Sequence, residues 1–183
     1  KKIFSLNNIY SLFLNEQTKE ITLNIFPQFK YYQRLSKFNI LNKKLRANCD
    51  IYFILALLTV DQSNNYEYFC YKYKVSNKIR DKFKNISKNF DNLKSKKFYL
   101  EENIKKLIYL TSKNYVKDLL IFSKCSIDKM EKLIGDNLIN YVDNCKIPKF
   151  PISGDFLKEH GFKAGEELGK KLRSLEQKWI ENN

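Results

Sequence analysis

Only 5 Gly and 3 Pro occur in 183 residues, and four of those Gly fall together at 154, 161, 165 and 169. All-β folds spend Gly and Pro on tight turns, so a chain this poor in both is pushed towards long helices. The apolar residues agree. Ile79, Phe83, Ile86 and Phe90 follow Ser76, a good N-cap, at helical spacing. Ile104, Leu107 and Ile108, then Val116, Leu119 and Leu120, repeat in the same way. Hydrophobic residues make up 43% and charged residues 30%, enough for a core and against whole-chain disorder. The fold class expected is all-α: a multi-helical body domain followed by a small C-terminal helical tail unit.

Along the chain, residues 6–14 and 17–26 read as short helices, the second stopped by Pro27. Residues 28–43 read as a helix with Phe29, Tyr32, Leu35 and Phe38 on one face. Residues 45–60 are apolar nearly all round after Asp50, which predicts the buried centre of the body. The run Ile51 to Val60 is about half of a membrane span. Residues 63–73 are an aromatic-rich helix with Tyr66, Phe69, Cys70 and Tyr73. Lys94 to Lys97 read as a basic linker. Ser126 is expected to cap a helix reaching Asn144, carrying Met130, Leu133, Ile134, Leu138, Ile139 and Val142, with Gly135 as an interior kink or close approach.

Residues 146–152 hold two of the three Pro and mark the start of the tail. There Ser153 or Asp155 starts a short helix and Gly161 ends it, with Phe162 tucking back. Gly165 opens a second helix with Leu168, Leu172, Leu175 and Trp179 as its buried stripe, and Gly169 allows a close approach.

The formal net charge is +14, a balance that suits nucleic acid or another anionic surface. Only four of the 34 basic residues are Arg, and Lys, Asn, Ile, Tyr and Phe are all abundant, as an AT-rich coding sequence would produce. Part of the Lys excess is therefore compositional. Its distribution is more informative. Residues 72–97 carry ten Lys/Arg against Asp81 and Asp91, whereas residues 98–145 are balanced at seven Lys and seven Asp/Glu. The competing explanation for the first stretch is a solvated helix face.

Catalytic patterns are scarce. Cys49, Cys70, Cys125 and Cys145 form no CxxC pair and read as reduced core residues. His160 stands alone at an apparent helix end. No GxGxxG, Walker loop, GxSxG or HExxH occurs. The pairs Glu101-Glu102 and Glu166-Glu167 fall at helix starts, where the macrodipole explains them. The first residue is Lys1 and the only Met is Met130, so processing or a longer parent chain is expected. The opening Lys1-Lys2-Ile3-Phe4 leads into Asn7-Asn8, unlike a signal peptide.

The tail residues carry a resemblance. Pro151-Ile152-Ser153-Gly154-Asp155-Phe156-Leu157, then Gly161-Phe162, Gly165, Leu168-Gly169 and Leu172, with Leu175 and Trp179 beyond, resemble the C-terminal tail of bacterial class II tRNA nucleotidyltransferases and poly(A) polymerases. Leu45-Arg46 leading into Ile51–Leu58 resembles the family's body helix that starts with Arg and turns apolar. Tyr73-Lys74-Val75-Ser76-Asn77 before Ile79-Arg80 resembles its turn into a helix. Tyr115-Val116-Lys117-Asp118-Leu119-Leu120 resembles another family helix, with Lys117 in place of Arg. The residues around Ser11 to Pro27 resemble the end of the neck. The catalytic head's Gly-Ser-Asp-x-Asp, Arg-Arg-Asp and Glu-Asp-x-x-Arg motifs are absent.

The resemblance implies three regions: the end of a neck at 1–27, a body at 28–145 and a tail at 146–183. It implies that this part of a cytoplasmic nucleotidyltransferase holds the tRNA acceptor–T arm while a head elsewhere adds C, C and A. It implies no cofactor in this chain, with Mg²⁺ and CTP or ATP belonging to the head, no membrane partner, and no catalysis by this chain alone. The alternatives are the C-terminal region of a poly(A) polymerase, acting on mRNA 3′ ends, and an autonomous helical interaction protein without RNA. The residues expected to touch RNA are Lys78, Arg80, Lys82 and Lys84 in the helix after Ser76, and Lys163, Lys170, Lys171 and Arg173 around the tail hairpin.

Overall fold

The computed structural model describes residues 9–131 and 134–182. Among the described residues there are helices and turns and no strand, so the fold is all-α. A 3-10 turn at Ile9–Phe13 leads into α1 (Glu16–Ile25), α2 (Arg34–Ile40), α3 (Lys43–Ala47) and α4 (Ile51–Thr59). Next come α5 (Asn65–Lys72), α6 (Asn77–Asn89), α7 (Glu101–Leu110) and α8 (Lys113–Ser126). The last are α9 (Asp128–Glu131), α10 (Asp136–Asn144), α11 (Gly154–Glu159) and α12 (Glu166–Asn182). Residues 6–8 of the expected first helix, and Leu133, lie outside the described residues, as does the side chain of Met130.

Short polar side chains set several boundaries. Asn15 accepts from the N–H groups of Gln17 and Thr18 and starts α1. Asn42 accepts from Leu45 N–H at 3.0 Å, and Asp50 from Phe53 N–H at 2.8 Å. Each such oxygen replaces a backbone carbonyl as acceptor and so begins a new helix. This is why the helices expected at 28–43 and 45–60 are corrected to α2, α3 and α4. The single helix expected from Ser126 to Asn144 is also corrected. Ser126 is the last residue of α8, Ile127 closes that helix on the Ser123 carbonyl, and Gly135 is the extended N-cap of α10. Gly favours that non-helical position over a helix interior.

As its composition predicts, α4 is the centre. Phe53, Ala56, Leu57, Leu58 and Val60 are fully buried. The helix packs against α2, α5, α6 and α8, while α8 brings Val116, Leu119, Leu120 and Phe122 into the same core. Asp50 ends the apolar run on one side. On the other, the C-terminal carbonyls of α4 need partners. Arg34 supplies them: its buried guanidinium donates to the carbonyls of Leu57 at 3.0 Å and Val60 at 2.7 Å. The same group lies over the Tyr31 ring at 4.0 Å. Burial lowers the Arg34 pKa to about 10, which leaves it charged at neutral pH. Asn65 adds a second tie, donating to the carbonyls of Gln28 and Thr59.

The tail forms the hairpin that its glycines predict. Ser153 caps α11 by accepting from Phe156 N–H. Gly161, at φ 90°, follows the C-cap His160, with Gly161 N–H bonded to the Lys158 carbonyl and Phe162 N–H to the Leu157 carbonyl. Those two bonds make a Schellman motif, whose left-handed position suits glycine. Gly165, at φ 147°, precedes α12. Three expectations are corrected. The Phe162 backbone turns back but the residue stays 40% exposed. Gly169 permits no close approach, since a Cβ there would meet nothing within 4 Å. The stripe of Leu168, Leu172, Leu175 and Trp179 is only half-buried, with Ile180 buried beside it. The tail rests on α7 through Trp179 against Tyr109, with ring centroids 5.4 Å apart, and through Lys106 donating to the Glu181 carbonyl.

Candidate nucleic-acid interface

α6 owes its form to one narrow apolar stripe. Phe83 and Ile86 are buried, with Ile79 and Phe90 half-buried beside them, and this face packs on α4 and α5. A helix advances about 100° per residue, so residues two apart stand on opposite flanks and residues four apart on the same one. The four basic residues singled out in α6 are divided accordingly. Arg80 and Lys84 share the flank facing α5, where they line a groove with Tyr66, Glu67 and Tyr71. Lys82 is on the other flank. Lys78 is exposed, as are Arg80 and Lys84. No ion pair engages these three among the described residues.

Lys82 is held instead. Its ammonium sits 2.8 Å from Asp50 and 3.0 Å from Asp118, with only 21% of the side chain exposed. Burial by itself would lower the Lys82 pKa, but the two carboxylates outweigh it and raise it. Burial pushes the Asp118 carboxyl up, and Asp50 adds to this, against the pull of Lys82. Both shifts favour the bound proton, as expected where two carboxylates share one ammonium. Beside them Lys117 pairs with Asp143 at 2.6 Å.

These groups line a cleft of about 340 Å³ between α3, α6, α8 and α10. Lys117-Asp118 and Leu45, from two segments that carry the resemblance, meet in this cleft beside Lys82. Its cations are already matched by acids, so it presents little free charge to a phosphate. Among the described residues, no group of three or more His, Cys, Asp or Glu is placed to hold a metal ion. Burial raises the thiols of Cys49 and Cys125 to about 12 and that of Cys70 to about 11, so none is a thiolate at neutral pH.

The second cluster is on the open side of the tail. Lys163, Lys170, Lys171 and Arg173 are all exposed. Lys170 pairs with Glu166 at 2.9 Å, a solvent-exposed contact that leaves the ammonium accessible. Glu166 and Glu167 occupy the first turn of α12 and repel an anion from its N-terminus. His160 caps α11, its Nδ1 2.8 Å from the Phe156 carbonyl and its ring over that of Phe156.

The structure adds two residues that the sequence reading passed over. Tyr71 is 81% exposed and Tyr68 57% exposed, both off the stripe formed by Tyr66, Phe69 and Cys70. An aromatic residue off the apolar face of its own helix, next to the densest basic stretch, is the signal that marks them. No protein-family model, curated protein or solved structure matches this chain.

Proposed function

We propose that this chain is an RNA-binding helical unit, the body and tail of a nucleotidyltransferase that adds CCA to tRNA, and that α6 and the tail hairpin meet the RNA backbone. The observation that carries the reading is the exposed trio Lys78, Arg80 and Lys84, which no acidic side chain engages among the described residues. Cations left free on a helix with an otherwise ordinary apolar stripe are available to phosphates. The Gly-bounded hairpin and the cleft joining two of the resembling segments support the family reading. A folded acceptor–T arm would be recognised by shape and phosphate spacing rather than by base edges. On this reading Mg²⁺ and the nucleoside triphosphate belong to the catalytic head, and this chain alone transfers no nucleotide. Addition to the 3′ ends of mRNA is the alternative role within the same family.

The test is tRNA binding across a salt series for the wild type and for Lys78→Ala, Arg80→Ala and Lys84→Ala combined. The triple variant should bind more weakly, with a salt slope lower by about 0.7–0.9 for each cation that contacts a phosphate. Equal affinity and slope would remove α6 from the RNA surface. A wild type that binds no tRNA would favour a protein partner instead, for which the exposed Ile21 and Ile25 of α1, with Leu14 in the turn before it, offer an apolar face.

A further inference from the structure

From the groove between α5 and α6 we infer a site for one unpaired nucleotide of the bound RNA, its base stacked on Tyr71 and its phosphate held by Arg80 and Lys84. The inference rests on the RNA-binding reading above and adds a strand preference to it. Two pairs at four-residue spacing line the groove: Glu67 and Tyr71 on α5, Arg80 and Lys84 on α6. The space between them is about 270 Å³ and open to solvent on one side. That is near the lower end of small-molecule sites, about 300–1,000 Å³, and fits a single nucleotide rather than a duplex edge.

The chemistry is divided across the groove. Tyr71 is largely bare on the surface, where burial gives no reason for an aromatic ring. A nucleobase has a π-face whatever its identity, and an exposed Tyr is a stacking platform for it. Arg80 and Lys84 supply two cations for the neighbouring phosphate, and the Arg guanidinium also offers a planar fork of donors. Glu67 sets the polarity. Its Oε1 accepts from the Tyr66 hydroxyl at 3.1 Å, which fixes a carboxylate on the α5 wall. A phosphate is repelled from that wall and drawn to α6, while a base N–H can donate to it. Away from its ends a duplex offers no free base face to Tyr71, so the site discriminates unpaired from paired RNA.

The experiment measures binding of a labelled single-stranded oligoadenylate and of a blunt RNA duplex of equal length. The proteins are the wild type, Tyr71→Ala, Tyr71→Phe and the double variant Arg80→Ala/Lys84→Ala. The Tyr71 side chain is so exposed that neither change threatens folding. Tyr71→Ala should weaken oligoadenylate binding by about fivefold or more and leave the duplex unchanged, while Tyr71→Phe keeps wild-type affinity. The double variant should weaken both. If Tyr71→Ala binds the single strand as the wild type does, or loses both RNAs equally, the nucleotide site is wrong while RNA binding stands. A Tyr71→Phe as weak as Tyr71→Ala would also overturn stacking. A wild type that binds neither RNA overturns the site together with the reading it rests on.

Discussion

At the scale of single residues, the charge on α6 separates into a structural cation and free ones. Lys82 bridges the half-exposed Asp50 and the more deeply buried Asp118. Removing it strands a carboxylate whose charged form burial already disfavours. Lys82→Ala should therefore lower stability by about 1–3 kcal/mol in urea unfolding, the range for a buried polar group left unsatisfied. It should leave the salt slope of RNA binding unchanged. A variant with wild-type stability and a lower slope would instead put Lys82 on the RNA surface. The sequence placed Lys78, Arg80, Lys82 and Lys84 together because all four avoid the apolar stripe. The pattern of one helix shows which side chains are outside it. It does not show which flank meets acids from elsewhere, because Asp50 and Asp118 are 32 and 36 positions from Lys82.

At the scale of elements, the legible parts were those governed by local chemistry. The Schellman turn at Gly161, the cap at Ser153 and the stripe of α6 all follow from neighbours within a few residues. The boundary expected between residues 43 and 45 falls close to the Asn42 cap, but the span 45–60 hides a second break at Asp50, where the side chain captures the Phe53 N–H. Gly135 fits the helical period of its neighbours, yet it stands outside the helix as the N-cap of α10. Two glycines of the tail should now respond in opposite ways. Gly161 has φ 90°, so Gly161→Ala should cost about 1–2 kcal/mol through left-handed backbone strain. Gly169 is inside α12, where an added Cβ meets nothing within 4 Å. Gly169→Ala should stabilise by about 0.5–1 kcal/mol through helix propensity. Thermal unfolding of both variants by circular dichroism checks the pair, and a destabilised Gly169→Ala would show that the position needs glycine for another reason.

At the scale of the whole molecule, the body and tail are held with unequal strength. The body shares one continuous core, in which α4 and α8 are buried along most of their apolar length. The contact of α12 with the body is thin. Trp179 rests against Tyr109, the Tyr109 hydroxyl donates to Glu176, and Lys106 donates to the Glu181 carbonyl. Ile180 is the buried residue of that helix among those described. Little apolar area leaves water at this joint compared with the body core, so it should open at lower denaturant than the body unfolds. The sequence provides the probe, because Trp179 is its only Trp. In a urea titration the tryptophan emission should shift before the helical circular dichroism falls. Trp179→Phe removes that signal, and Tyr109→Ala should move the emission midpoint lower still while changing the circular dichroism midpoint little. Coincident midpoints in the wild type would mean that tail and body unfold as one unit. The joint would then be stiffer than its contacts indicate, and the tail's cations would keep one fixed placement relative to α6 when RNA arrives.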